Sequence, residues 1–142
     1  MSLRRTSLML FSLAGVLSCG DETDPNEAIA GSYAASTFTV TPTGGAPQNA
    51  LAAGASMDIF LASSGTTTGT LNVPATVTGG APILEDMTGT FSRSGNAVTF
   101  DQTADTFVRD ATWTLGSNTL STTFAESDGT IEVTLTGTPP LE

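Results

Sequence analysis

The chain predicts an all-β domain: an eight-stranded antiparallel up-and-down β-barrel, with a two-sheet β-sandwich as the alternative. Three observations carry this. Thr occupies 26 of the 142 positions, Gly and Ser are abundant and Lys is absent, a mixture that favours strands and turns over helices. Apolar and polar residues alternate along eight short runs, the period of strands with one buried face. No ten-residue stretch beyond position 28 has helical periodicity.

The runs follow in order. Run 32–41 places Phe38 and Val40 on one face, with Tyr33 out of phase, which predicts a bulge early in that strand. Run 55–62 offers Met57, Ile59 and Leu61, and run 66–73 offers Leu71 and Val73. Run 87–93 offers Met87 and Phe91, and run 97–102 offers Val98 and Phe100. Run 105–115 reads as one long strand with Phe107, Arg109, Ala111, Trp113 and Leu115 on its inward face. Run 119–125 gives Leu120 and Phe124. Run 130–136 gives Ile131, Val133 and Leu135, with Glu132 and Thr134 opposite. Gly-Ser/Thr-apolar triplets recur at Gly31, Gly69, Gly89 and Gly129, a weak similarity that is ordinary strand grammar.

The links between runs set the topology. Ser63-Ser64-Gly65, Ser94-Gly95-Asn96 and Gly116-Ser117-Asn118 have hairpin length and turn composition. The links 42–54 and 74–86 are thirteen residues each and rich in Gly, Ala and Pro. In a meander, alternate links share an end, so the short turns close one end and both long links lie at the other. The absence of Lys favours closure, because open sheets blunt their edges with such charges and a barrel has no edge.

The N-terminus carries an address. Arg4 and Arg5 precede an apolar segment, 7–17, of eleven residues, too short for the roughly twenty that span a bilayer as a helix. It ends in Val16-Leu17-Ser18-Cys19, and Cys19 is the only cysteine. This resembles the lipobox of bacterial lipoproteins, with Val16 and Leu17 in place of the commoner Leu and small residue. The Arg pair also admits a twin-arginine reading, which Ser7 weakens. The expected organisation is a signal peptide at 1–18, an acidic flexible tether at 19–28, a barrel at 29–138 and a tail at 139–142. The resemblance implies that Cys19 bears acyl chains such as palmitate, and two or more chains give stable anchoring. The expected location is the bacterial cell envelope, with the outer membrane or cell surface favoured over the inner membrane.

Composition narrows the chemistry. Removing 1–18 takes two of the four Arg and no acid, moving the net charge from −10 to −12. Such a surface repels nucleic acid and anionic headgroups. With no His and the one Cys acylated, His-based triads, Cys nucleophiles and His/Cys zinc sites are unavailable. No enzymatic activity, cofactor or metal is expected. The acids at 21–27 lack the spacing of a calcium loop.

Gly31-Ser32-Tyr33, opening the first strand, is similar to the Gly-x-Trp of lipocalins, with Tyr for Trp. The long 42–54 link resembles their lid. The eight-strand meander covers the mature domain, without the family's C-terminal helix or its Arg near the last strand. The resemblance implies binding of a small apolar ligand without chemistry.

Candidate ligand contacts are Arg109, Phe107, Phe100, Phe91 and Met57. Period two places Arg109 inward near the long-link end, where it would hold an anionic headgroup. The competing reading pairs it with Asp101 or Asp105, or stacks it on Phe100. Trp113, Tyr33 and Leu115 read as a cavity floor or as plain core, and Met87 as lining or core. Asp101, Asp105 and Asp110 read as solvated turn acids rather than a glycosidase pair. Two functions stay open: a lipid-anchored carrier of a small hydrophobic molecule, and a filled-barrel surface lipoprotein acting on another protein. An eight-stranded barrel is just wide enough either to be filled by its side chains or to hold one small ligand.

Overall fold

A computed structural model describes residues 26–138. The expected signal segment 1–18, Cys19, residues 20–25 of the expected tether and the expected tail 139–142 lie outside the described residues.

The strands are β1 (Gly31–Pro42), β2 (Gln48–Asn49), β3 (Ser56–Leu61), β4 (Thr66–Val73), β5 (Ile83–Asp86), β6 (Gly89–Ser94), β7 (Ala97–Gln102), β8 (Thr112–Leu115), β9 (Thr119–Glu126) and β10 (Gly129–Thr138). Two single-turn helices interrupt them, α1 (Ala75–Thr78) and α2 (Phe107–Asp110), and a 3₁₀ turn at Glu27–Ile29 precedes β1. All pairings are antiparallel. β1, β3, β4, β6, β7, β8, β9 and β10 neighbour one another in that order, and β10 returns to β1. The result is a closed eight-stranded up-and-down barrel. β2 and β5 lie off this ring, beside β1 and β4.

The closing ladder is the longest, from Ser32 opposite Thr138 to Pro42 opposite Gly129. Its register shifts between Ala35 and Thr37. The extra residue, Ser36, turns outward and bonds Thr134 and Thr136 on β10. This is the expected bulge. It lets Tyr33 and Phe38, an odd number of residues apart, both face inward and be buried. Elsewhere the alternation holds plainly: in β3, Met57, Ile59 and Leu61 are buried while Ser56, Asp58 and Phe60 are exposed.

Two stretches depart from the expected strands. The first is at β5. Its register against β4 (Val73 opposite Ile83, Thr70 opposite Asp86) continues without a slip into the β4–β6 pairing, Thr67 opposite Gly89. Met87 N–H bridges the interval by donating to Gly69 O at 3.0 Å. The fourth strand of the barrel therefore begins near Ile83, not at 87, and the link before it contracts to 74–82. Within that link Pro74 opens α1, and Gly79, at φ 71°, ends it.

The second departure is 105–115. Only 112–115 is strand; 107–110 is α2. β8 pairs with β7 over Thr112–Thr114 alone, opposite Ala97–Thr99, so the wall is short here. α2 stands in the gap and buries two consecutive residues, Phe107 and Val108. A strand would have sent one of them to solvent. The α2 turn closes through Ala111 N–H to Phe107 O at 2.8 Å.

The lumen is filled. Trp113, Phe38, Met57, Ile59, Leu61, Leu71, Met87, Leu120, Leu135, Val98, Val108 and Val133 are almost completely buried. Phe100 meets Trp113 edge-on, with ring centroids 5.9 Å apart at 84°. Gly69 is required by close approach: at φ 144°, a Cβ there would lie 2.1 Å from Asp58 O.

The ends of the barrel differ as the link lengths predict. Ile29, Tyr33, Arg93, Gly116, Asn118 and Thr138 share one depression at the short-turn end. Asn26 lies against the 62–65 turn, where a Cβ on Gly65 would sit 3.2 Å from its side chain. Chain entry and exit therefore share the short-turn end. The 42–54 and 74–82 links lie together at the other, where Gly54 approaches Pro74.

Candidate functional site: the cleft at the barrel mouth

A cleft of about 280 Å³ opens at the long-link end. β1 contributes Phe38, Val40 and Pro42, the β4–α1–β5 segment contributes Val73, Val77, Thr78 and Ile83, and α2 contributes Phe107. The β9–β10 hairpin completes it with Glu126 and Asp128–Ile131. Phe38 and Phe107 are buried and pack with ring centroids 5.9 Å apart, tilted by 58°. This pair forms the base of the cleft over the filled lumen.

Each wall follows from local sequence. β1 runs past the end of β3 to Pro42, and β9–β10 runs up beside it; Thr43 N–H donates to Asp128 O at 2.9 Å and ties the hairpin to the end of β1. α1 has one large apolar residue, Val77, and buries it. Thr78 is exposed, and its hydroxyl donates to Ala81 O at 2.9 Å, folding the glycine-rich link back over the rim. α2 is held by Trp113, whose indole N–H donates to Val108 O at 3.3 Å. The same tryptophan thus fills the lumen and fixes the helix that floors the mouth.

Of the expected ligand contacts, only Phe107 lines this cleft. Met57, Phe91 and Phe100 point inward as expected, but as buried core. Arg109 requires a correction. It is not on an inward strand face but on α2, its side chain about one-third exposed (34%). It pairs with the exposed Asp105 carboxylate and, at 3.5 Å, with Asp110. The helical turn is the cause: the i, i+4 spacing from Asp105 brings carboxylate and guanidinium onto one outer surface. Asp105 and Asp110 are thereby ion-pair partners, and Asp101 is exposed on β7. Tyr33 and Leu115 do meet at the short-turn end. Burial raises the Tyr33 phenol above its ordinary 10.0, with the Arg93 charge opposing. Its hydroxyl donates to Ile29 O at 2.9 Å.

The residues missed as site candidates are Val40, Val73, Val77, Ile83 and Ile131. One signal was available: Val77 is the single large apolar residue in 74–82, and an isolated apolar residue in a polar link usually docks on something.

Electrostatically the cleft is one-sided. Its lining includes two exposed carboxylates, Glu126 and Asp128, and no basic residue. No family model, no curated protein and no solved structure matches the chain.

Proposed function

We propose that the protein is a lipid-anchored binding protein of the bacterial cell envelope, whose lipocalin-like barrel holds a small apolar molecule at its mouth rather than in its lumen. The observation that carries this reading is the apolar cleft on the Phe38–Phe107 base. It lies just under the roughly 300–1,000 Å³ of typical small-molecule sites. Larger depressions of about 620 Å³ on the Thr-rich outer face and about 550 Å³ at the short-turn end have more polar linings, so the mouth cleft is the one that suits an apolar molecule. The reading assigns no chemistry, in keeping with the lack of His and of a free thiol. The anchor rests on the short apolar segment ending at Cys19, and the chain that follows joins the barrel at the end opposite the cleft. The mouth then faces away from the membrane.

The filled lumen also favours a second reading, a rigid surface lipoprotein that contacts another protein. Leu84, 71% exposed beside the mouth, fits that use. One experiment separates the two. A neutral apolar dye is titrated into the whole chain carrying Cys19→Ser, so that no acyl chain competes, and then into the same chain with Thr78→Trp, which fills the cleft from its exposed rim. Saturable binding by the first and at least tenfold weaker binding by the second supports the mouth. No binding by either leaves the protein-contact reading. The anchor has its own check: fatty-acid analogue labelling of cells should tag the wild type and not Cys19→Ser.

A further inference from the structure

We infer that the molecule held at the mouth carries a positive charge: a small amphiphilic amine or quaternary ammonium compound, not a fatty acid. This rests on the mouth-binding reading and sharpens it. The base and most of the wall are apolar, so part of the ligand must be apolar. What distinguishes ligands is the rim. Glu126 and Asp128 flank the tip of the β9–β10 hairpin, and both are exposed lining residues. Among the described residues, neither side chain has an ion-pair or hydrogen-bond partner.

Nor, among the described residues, does any basic side chain line the cleft beside them. The described residues include two basic side chains, Arg93 and Arg109. Arg109 is held by Asp105 and Asp110 on the outer side of α2. Arg93 lies at the opposite end of the barrel beside Tyr33, with its Nε–H donated to Gly95 O at 2.8 Å. The chain's net charge of −10 adds a field of the same sign. A carboxylate headgroup would meet two like charges at the rim, whereas a cation would meet two unpaired opposite ones. At about 280 Å³, the cleft holds about nine water volumes of roughly 30 Å³ each, which suits a short chain or a single ring.

The test uses three probes with the same eight-carbon chain, octyltrimethylammonium, octanol and octanoate, titrated by calorimetry into the whole chain carrying Cys19→Ser. The expected order is octyltrimethylammonium tightest, octanol between, and octanoate weakest, with about tenfold between the extremes at low salt and less as salt is added. Glu126→Gln with Asp128→Asn should weaken the cation at least threefold and strengthen octanoate, leaving octanol unchanged. Equal binding of all three probes, abolished by Thr78→Trp, would overturn the charge preference while the mouth reading stands. Failure of all three to bind would overturn both.

Discussion

Trp113 is wholly buried in the lumen, edge-on to Phe100, with its one polar atom satisfied by the Val108 carbonyl. Removing it opens a large void in a packed core and frees the anchor of α2. Trp113→Ala should cost about 3–5 kcal/mol, read as a lower urea midpoint with unchanged slope. A loss below about 1 kcal/mol would mean the inward register is wrong. Tyr33 marks the other end. Its phenol titrates above 10.0 because burial disfavours the phenolate, against the pull of Arg93. The folded state therefore holds the proton more tightly than the unfolded one. Its contribution is complete below pH 10 and is lost as pH rises through the folded value. Tyr33→Phe should flatten that alkaline decline while losing about 1 kcal/mol at neutral pH with the Ile29 bond. As the chain's single Tyr, it reports its own phenolate absorbance.

At the level of elements, α2 explains why the site was only partly legible. The alternation through Phe107, Arg109, Ala111 and Trp113 is present in the sequence, and for Trp113 it gives the correct face. Four residues cannot declare a helical period, however, and the helical turn is read only in the fold: β8 pairs with β7 over Thr112–Thr114 alone, and the turn before it buries the adjacent Phe107 and Val108, which a strand would split between two faces. The period-two reading consequently puts Arg109 inside, whereas the helical turn carries it to the outer surface. Its true position makes a prediction. Exposed ion pairs are worth about 0–1 kcal/mol, so Arg109→Leu should shift stability by no more than that and should not change binding at the mouth. A destabilisation of several kcal/mol would indicate a structural role beyond the Asp105 and Asp110 pairs. β5 was missed for a related reason. Ile83 and Leu84 follow a Gly-Gly-Ala-Pro stretch that reads as loop, and their strand character comes from the register that β6 imposes through β4. By contrast, the Ser36 bulge was legible, because Tyr33 and Phe38 cannot both face inward without an extra residue between them.

At the level of the molecule, the hairpin turns and two long links sufficed for the barrel and its polarity. Link length is a topological quantity that the one-dimensional sequence carries directly. Cavity volume depends on how far Trp113, Met57, Met87 and the phenylalanines interdigitate, and periodicity gives direction without depth. The polarity has a consequence for accessibility. The segment 79–82 is exposed along its whole length and contains two of the chain's Gly. If Cys19 anchors the chain to a membrane as proposed, limited proteolysis of membrane-bound protein should cut there before it cuts the short turns 62–65, 94–97 or 115–119. First cleavage in those turns would mean that the mouth, not the closed end, is turned toward the membrane.

The proposed function has the filled barrel present its binding surface at the mouth. Titrating the isotope-labelled chain with octyltrimethylammonium, and following side-chain resonances by NMR, tests it most directly. Val40, Val77, Ile83, Phe107 and Ile131 should shift in a saturable manner while the Trp113 indole N–H and the Met57 methyl stay in place. Leading shifts at Trp113 and Met57 would show that the ligand enters the lumen and would contradict it.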